Sequence, residues 1–179
     1  MLEIETTCLV IIDVQGKLAQ LMFEKDSLFK NIQILIKSAK LLNIPILWCQ
    51  QQPKAIGVTI SEISNLLTDD MPIDKACFSC FGSEEFKKKL QQIKREQVLL
   101  CGIEAHVCVY QTAVELMKAG KEVHLITDAV SSRREVNKKV AIKRMLAEGI
   151  KISSTEMAIF ELLKTAEHPQ FKQIAMLVK

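Results

Sequence analysis

The sequence predicts a three-layer α-β-α fold around a six-stranded, mostly parallel, Rossmann-like sheet, and three observations predict it. Short apolar runs recur along the 179 residues as near-continuous stretches, which is how parallel strands buried on both faces read. Longer segments with helical periodicity separate them, giving the alternation of right-handed βαβ units. The 49% hydrophobic content is enough to bury one such core, so a single domain over 1–179 is expected.

The first run, CLVIID (8–13), ends on an acid. A helix is expected over 27–42, where Leu28, Ile32, Leu35, Ile36, Ala39 and Leu42 form one apolar stripe. Ser27 can cap its start, and Asn43 with Pro45 can stop it. IPILWC (44–49) is the second strand. The longest irregular stretch follows, over 50–76, and loops of that size in compact domains are often functional. A short extra strand over 75–78 is the weakest element. A helix starts near Ser83, with Glu84 and Glu85 complementing its positive end. VLLC (98–101) is the next strand, and the helix after Cys108 stops before Gly120. EVHLI (122–126), a helix over 135–148 closed by Gly149, KIS (151–153) and a helix near Pro169 complete the order.

Composition removes several function classes. The 24 basic and 21 acidic residues leave a net charge of +3, without the single-sign bias that nucleic-acid binding needs, so no nucleic-acid partner is expected. No run approaches the ~20 apolar residues of a membrane-spanning helix. The opening MLEIETT lacks the basic-then-apolar pattern of a signal peptide. No membrane association and a cytoplasmic location are therefore the expectation. In such a chain the six cysteines read as reduced thiols, with Cys8, Cys49 and Cys101 as small core residues. The six glycines never form G-x-G, which argues against a dinucleotide-binding protein.

In an open parallel sheet ligands bind beyond the carboxyl ends of the strands, so the residues there carry the chemical reading. Asp13 closes the first strand; its bland alternative is a turn cap. Lys75 lies in the loop before Phe78, where a lone lysine is usually a solvated charge. Cys108 stands in GIEAHVCVYQTA (102–113), where helical periodicity begins. A thiol at a helix N-terminus beside a lysine is expected to have a lowered pKa; the alternative is a buried inert cysteine. Cys77 and Cys80 have a redox or half-zinc spacing, but no second ligand pair exists and the motif does not open a helix after a strand. His106 invites a dyad with Cys108 yet need not face it, and His124 and His168 read as structural. Phe23, Trp48, Gln51, Phe78 and Phe81 are candidates for a pocket lining, although aromatic residues at strand ends are as often core.

Taken together, LVIIDVQ (9–15), DKACFSCF (74–81), GIEAHVCVYQTA and DAVSSR (128–133) resemble the signature blocks of the isochorismatase-like cysteine hydrolases. QQPKAIGVT (51–59) and EHPQFKQI (167–174) are similar to its small isochorismatase domain-containing subgroup. The resemblance covers nearly the whole chain and implies an isochorismatase-type hydrolase fold. It places the family's aspartate on Asp13, its lysine on Lys75 and its cysteine on Cys108. It also implies a cis peptide between Ile103 and Glu104, with the backbone N–H groups of Glu104 and Cys108 as an oxyanion hole, and a homo-oligomer, dimer or tetramer. The implied reaction is hydrolysis of a small amide or ester through a thioester. The nicotinamidases of the family carry an aspartate–histidine metal site after the second strand; QQPKAIGVT supplies none of it, so no metal and no cofactor are expected. True isochorismatases typically have no cysteine at the nucleophile position, so Cys108 favours acyl chemistry over vinyl-ether hydrolysis. A binding protein that keeps the triad without turnover is the other alternative.

Overall fold

The structure is a computed structural model and describes residues 1–68 and 71–179. Strand β1 (Thr7–Ile12) is followed by helices α1 (Gly16–Gln20) and α2 (Lys25–Leu41), then β2 (Ile46–Gln51). Helices α3 (Pro53–Ile56) and α4 (Ser61–Ser64) precede β3 (Ile73–Lys75), a 3₁₀ turn (Cys80–Gly82) and α5 (Glu84–Ile93). Strand β4 (Gln97–Ile103) leads into a π-helical turn (Ala105–Val109) continuous with α6 (Tyr110–Lys118). The chain ends through β5 (Glu122–Ser131), α7 (Glu135–Ala147), β6 (Lys151–Ser153), α8 (Thr155–Leu163) and α9 (Phe171–Leu177).

The six strands lie in the order β3-β2-β1-β4-β5-β6, and every strand pairing among them is parallel. The chain builds outward from β1 through β2 to β3, then returns to β4 on the other side. The strand order therefore reverses between β1 and β4, and in doubly wound sheets a ligand crevice opens at that switch point. Both central strands are buried along their whole length, which is why their sequences show no polar alternation. Period-two geometry still sorts them: Leu9 and Ile11 face a layer of α2, α8 and α9, while Cys8, Val10 and Ile12 face α5, α6 and α7.

Several expected elements shift, each for a local reason. Helix α2 begins at Lys25 after Glu24, which is left-handed (φ 52°), so Ser27 lies inside the first turn instead of capping it. Strand β5 runs five residues past EVHLI: β4 and β5 pair Leu100 with Leu125 and then Gly102 with Val130, and the polar Thr127 and Asp128 fall within that irregularity. The weak strand ends at Lys75 instead of starting there, pairing through Gln51↔Lys75. The long 50–76 stretch contains α3, α4 and β3, apart from residues 69 and 70, which lie outside the described residues. Helix α8 is an addition; Ser154 caps it by accepting the Met157 N–H, and Ala158, Ile159, Leu162 and Leu163 bury its face.

At the carboxyl end of the sheet β1 and β4 approach unusually closely. Gly102 has φ +117°, and a Cβ there would stand 2.1 Å from the Ile12 carbonyl oxygen. Only glycine permits both the conformation and the approach.

Candidate active site

Asp13 follows β1 immediately and adopts a left-handed conformation (φ 52°), which aspartate tolerates better than most residues. Its own N–H donates to the Cys49 carbonyl at 3.1 Å, anchoring this turn to β2. Lys75 ends β3, and its ammonium reaches back to Asp13 Oδ2 at 2.7 Å. Both side chains are buried, at 0% and 3% exposure, so this is an ion pair out of contact with bulk water.

The Lys75 ammonium also donates to Gln51 Oε1 at 2.8 Å and to the carbonyls of Cys77 (3.2 Å) and Phe78 (3.1 Å). An ammonium has three protons and no acceptor, and here it is surrounded by acceptors alone. Burial opposes its charge, but the negative charge of Asp13 and the hydrogen bond to it favour the ammonium, and its pKa lies above the ordinary lysine value. Burial likewise raises the Asp13 carboxyl above the ordinary carboxylate range, with the Lys75 charge and hydrogen bond pulling it back. The 2.7 Å contact pairs the two as carboxylate and ammonium, and burial makes Asp13 a stronger base than a solvated aspartate.

The second carboxylate oxygen, Asp13 Oδ1, is buried without a conventional hydrogen-bond partner. Cys108 is the group that stands against this carboxylate: the thiol and Asp13 interact directly, and both line one cavity. Cys108 sits in the π-helical turn that opens the helical segment after β4. Its expected low pKa is corrected by the structure. Burial, then the negative charge of Asp13, push the thiol well up, and Lys75 offsets them only in part because its charge is already committed to Asp13. Burial and the Asp13 charge thus favour the neutral thiol over the thiolate.

The cavity measures about 220 Å³ and is lined by Asp13, Leu18, Gln51, Ile56, Phe78, Ile103, Glu104, Val107 and Cys108. The peptide between Ile103 and Glu104 is cis. The Glu104 carboxylate, nearly buried, accepts from the backbone N–H and from Nε of Arg133, both at 3.1 Å. This couples the wall of the cavity to the loop after β5.

Among the five residues expected to line a pocket, Gln51 and Phe78 do so, and Gln51 also holds Lys75. The other three stand elsewhere. Trp48 points from β2 into the α2 layer and is 7% exposed. Phe81 packs edge-on against Phe86 beside the opposite layer. Phe23 lines a separate cavity with Asp128 and Lys138, its backbone bonded to Ser131 and Ser132. His106 bonds Ser132 Oγ through Nδ1 at 2.9 Å, so that nitrogen is taken up by the loop after β5. Cys80 is buried with its N–H on Thr112 Oγ1, Cys77 is half-buried, and neither forms a disulfide. His124 is engaged by Glu122, and the His168 ring accepts the Gln170 N–H.

Sequence reasoning assigned no role to Gln15. Its buried amide donates to the carbonyls of Gln51 (3.0 Å) and Gly57 (2.6 Å) and accepts the Gln51 N–H (2.6 Å). It thereby ties the turn after β1 to the end of β2, which sets Gln51 against Lys75. A buried glutamine two residues beyond a strand-end acid was the available signal. Among the described residues, no group of three or more His, Cys, Asp or Glu is arranged to hold a metal ion, and no helix is long and apolar enough to cross a membrane.

A doubly wound sheet with a buried carboxylate–ammonium pair and a thiol at its switch point defines a Rossmann-like protein with a cysteine-containing site. Comparison with known proteins makes the assignment specific. The isochorismatase domain model matches residues 7–157, and the chain belongs to that family. It is 39% identical over 178 residues to the secreted isochorismatase effector Isc1 of Phytophthora sojae, spanning 97% of this chain and 85% of that one. It is 34% identical to isochorismatase domain-containing protein 2A of Mus musculus, spanning 98% and 84%. Among solved structures, the MAR1 ribonuclease of Caenorhabditis elegans superposes with a TM-score of 0.93 at 33% identity, spanning 99% of this chain and 91% of that one.

Proposed function

We propose that the protein is a cysteine hydrolase that cleaves an amide, or an ester, of a small molecule through a thioester on Cys108. The observation that carries this reading is the meeting of Asp13 and Cys108 in one cavity, the carboxylate being held through Oδ2 by the buried Lys75 ammonium while its Oδ1 has no conventional partner. A neutral thiol needs a base, and a carboxylate made more basic by burial is suited to that task.

In this mechanism the Cys108 sulfur attacks the carbonyl carbon as its proton passes to Asp13. The backbone N–H groups of Glu104 and Cys108 receive the oxyanion, a contribution that typically amounts to about 10²- to 10³-fold per donor. The C–N bond then breaks, and Asp13 returns the proton to the departing amine. Water adds to the thioester with Asp13 again taking a proton; the acid leaves and the thiol is restored. Lys75 remains an ammonium throughout, orienting Asp13 and limiting the field that opposes thiolate formation. A cavity of about 220 Å³ with a largely apolar wall suits a small substrate. Exposed Leu146, Met157 and Met176 provide apolar surface consistent with assembly of like chains, a homo-oligomer being part of this reading.

The test is a panel of small amides, activated esters and vinyl ethers, with product release followed in solution and the acyl group located by peptide mass mapping. Acylation of Cys108 ahead of the five other thiols, with turnover abolished in Cys108→Ala, is the expected result. Acylation without turnover would instead identify a silent binding protein. Vinyl-ether cleavage that survives Cys108→Ala would make this an isochorismatase-type enzyme.

A further inference from the structure

A second cavity, of about 560 Å³, lies outside the catalytic one and is lined by Leu21, Arg133, Arg134, Val136 and Asn137. Two independent links make it the neighbour of the catalytic cavity. Arg133 is bonded through N and Nε to Glu104, which forms part of the catalytic wall. Leu18 faces the catalytic cavity and Leu21 the second, and residues three apart on a helical turn are neighbours.

The charges of this cavity are unbalanced. Its lining contains two guanidinium groups and no carboxylate. Arg134 has no side-chain hydrogen bond or ion pair among the described residues. Arg133 commits only Nε, leaving both of its Nη groups open. The nearest acid in sequence, Glu135, is taken by Lys139 at 2.6 Å. Apolar Leu21 and Val136 beside these cations reproduce what a short aliphatic chain ending in an oxyanion would meet. Glu104 and its partner Arg133 span the boundary between the two cavities.

We propose that this second cavity is an anion subsite for the substrate's far end, so that the substrate is an amide or ester whose acyl chain ends in a carboxylate or phosphate. The inference rests on Cys108 as the acylated residue. Arg134 is the specificity-determining group, since its guanidinium has no structural duty, and planar guanidinium donors match an oxyanion in bidentate fashion.

The first test compares acylation of Cys108 by the 4-nitrophenyl ester of hexanoate with that by the mono-4-nitrophenyl ester of adipate, which adds a terminal carboxylate at the same chain length. The adipate ester should acylate roughly five- to tenfold faster at subsaturating concentration, the scale of one charge-assisted contact. Arg134→Gln should remove that preference, bringing the ratio of the two rates to about one, and added salt should weaken it in the parent protein. Equal rates for the two esters, or a preference untouched by Arg134→Gln, would overturn the subsite while leaving the nucleophile assignment intact.

Should neither ester acylate Cys108, the nucleophile reading fails, and the subsite is judged by calorimetric titration of Cys108→Ala protein with adipate and with inorganic phosphate. Binding of adipate alone identifies a carboxylate site, and binding of phosphate alone a phosphate site. Binding of either that is lost in Arg134→Gln supports the subsite. Binding of neither, or binding only of a single-stranded RNA oligonucleotide, refutes it.

Discussion

The two ends of the same sheet are built on opposite terms. At the amino end, Gln97 Oε1 accepts the Glu3 N–H and the hydroxyls of Thr6 and Thr7, while its Nε2 donates to the Met1 carbonyl and to Glu122. Glu122 also holds His124 at 2.7 Å and Lys151 at 2.7 Å. Gln97 and Glu122 thus leave none of their own buried side-chain polar atoms without a partner. At the carboxyl end, Asp13 is left-handed, one of its oxygens is unpartnered, and an ion pair is sealed from water. Satisfied networks specify and hold a fold, whereas the unmet oxygen of Asp13, unlike those of Ser38 and Gln170, belongs to a titratable group lining a cavity, where chemistry is to be sought.

That contrast predicts which substitutions affect activity and which affect stability. The largest effect belongs to Cys108→Ala, which should lower turnover by at least about 10³-fold while changing the unfolding free energy by less than about 1 kcal/mol. Parallel losses of activity and stability would dissolve the distinction between the ends. Next is Lys75→Met, which strands a buried carboxylate and should cost about 3–5 kcal/mol in urea unfolding. The double variant with Asp13→Asn should recover most of that loss. Gly102→Ala should cost on the order of 2–3 kcal/mol, because the added Cβ meets the Ile12 carbonyl and the backbone conformation disfavours it.

At the amino end, Gln97→Ala should cost about 1–3 kcal/mol through the partners it abandons, with the Cys108 acylation rate unchanged. A drop in that rate would mean that the two ends are coupled. The smallest effect is one of pH. The hydrogen bonds from His124 and Lys151 hold the Glu122 carboxyl at about 2, below its ordinary 4.5. Its folded pKa is depressed, so its stabilisation is present above the ordinary value and is lost as pH falls from about 4.5 towards 2. Denaturation of Glu122→Gln across that window should show a flatter pH dependence than the parent chain.

The fold was largely legible because β1 and β4 are continuous apolar runs and α2 has a helical apolar stripe, the combination a parallel sheet covered by helices requires. Boundaries failed where tertiary geometry overrode local pattern. Thr127 and Asp128 interrupt the apolar run of β5, yet the strand continues past them through an irregular register with β4. Helix α8 was missed although Ser154 and the Ala158–Ile159–Leu162–Leu163 face were available as a cap and a stripe. Asp13, Lys75 and Cys108 could be singled out because each follows or ends a strand at the carboxyl edge. The charge state of Cys108 could not be read in the same way, because it depends on how deeply the thiol is buried and on whether Lys75 is already claimed. Trp48 and Phe81 show the same limit for aromatic residues, whose facing is set by the layer they meet.

The most direct measurement compares acylation of Cys108 at neutral pH in the parent protein and in Asp13→Asn, with retained folding verified by circular dichroism and Cys77 as the internal reference. If Asp13 is the base that a neutral thiol requires, Cys108 acylation should fall by about 10²-fold or more while Cys77 labelling stays constant. An unchanged Cys108 rate would mean that the thiol reacts without that carboxylate, contradicting the central claim.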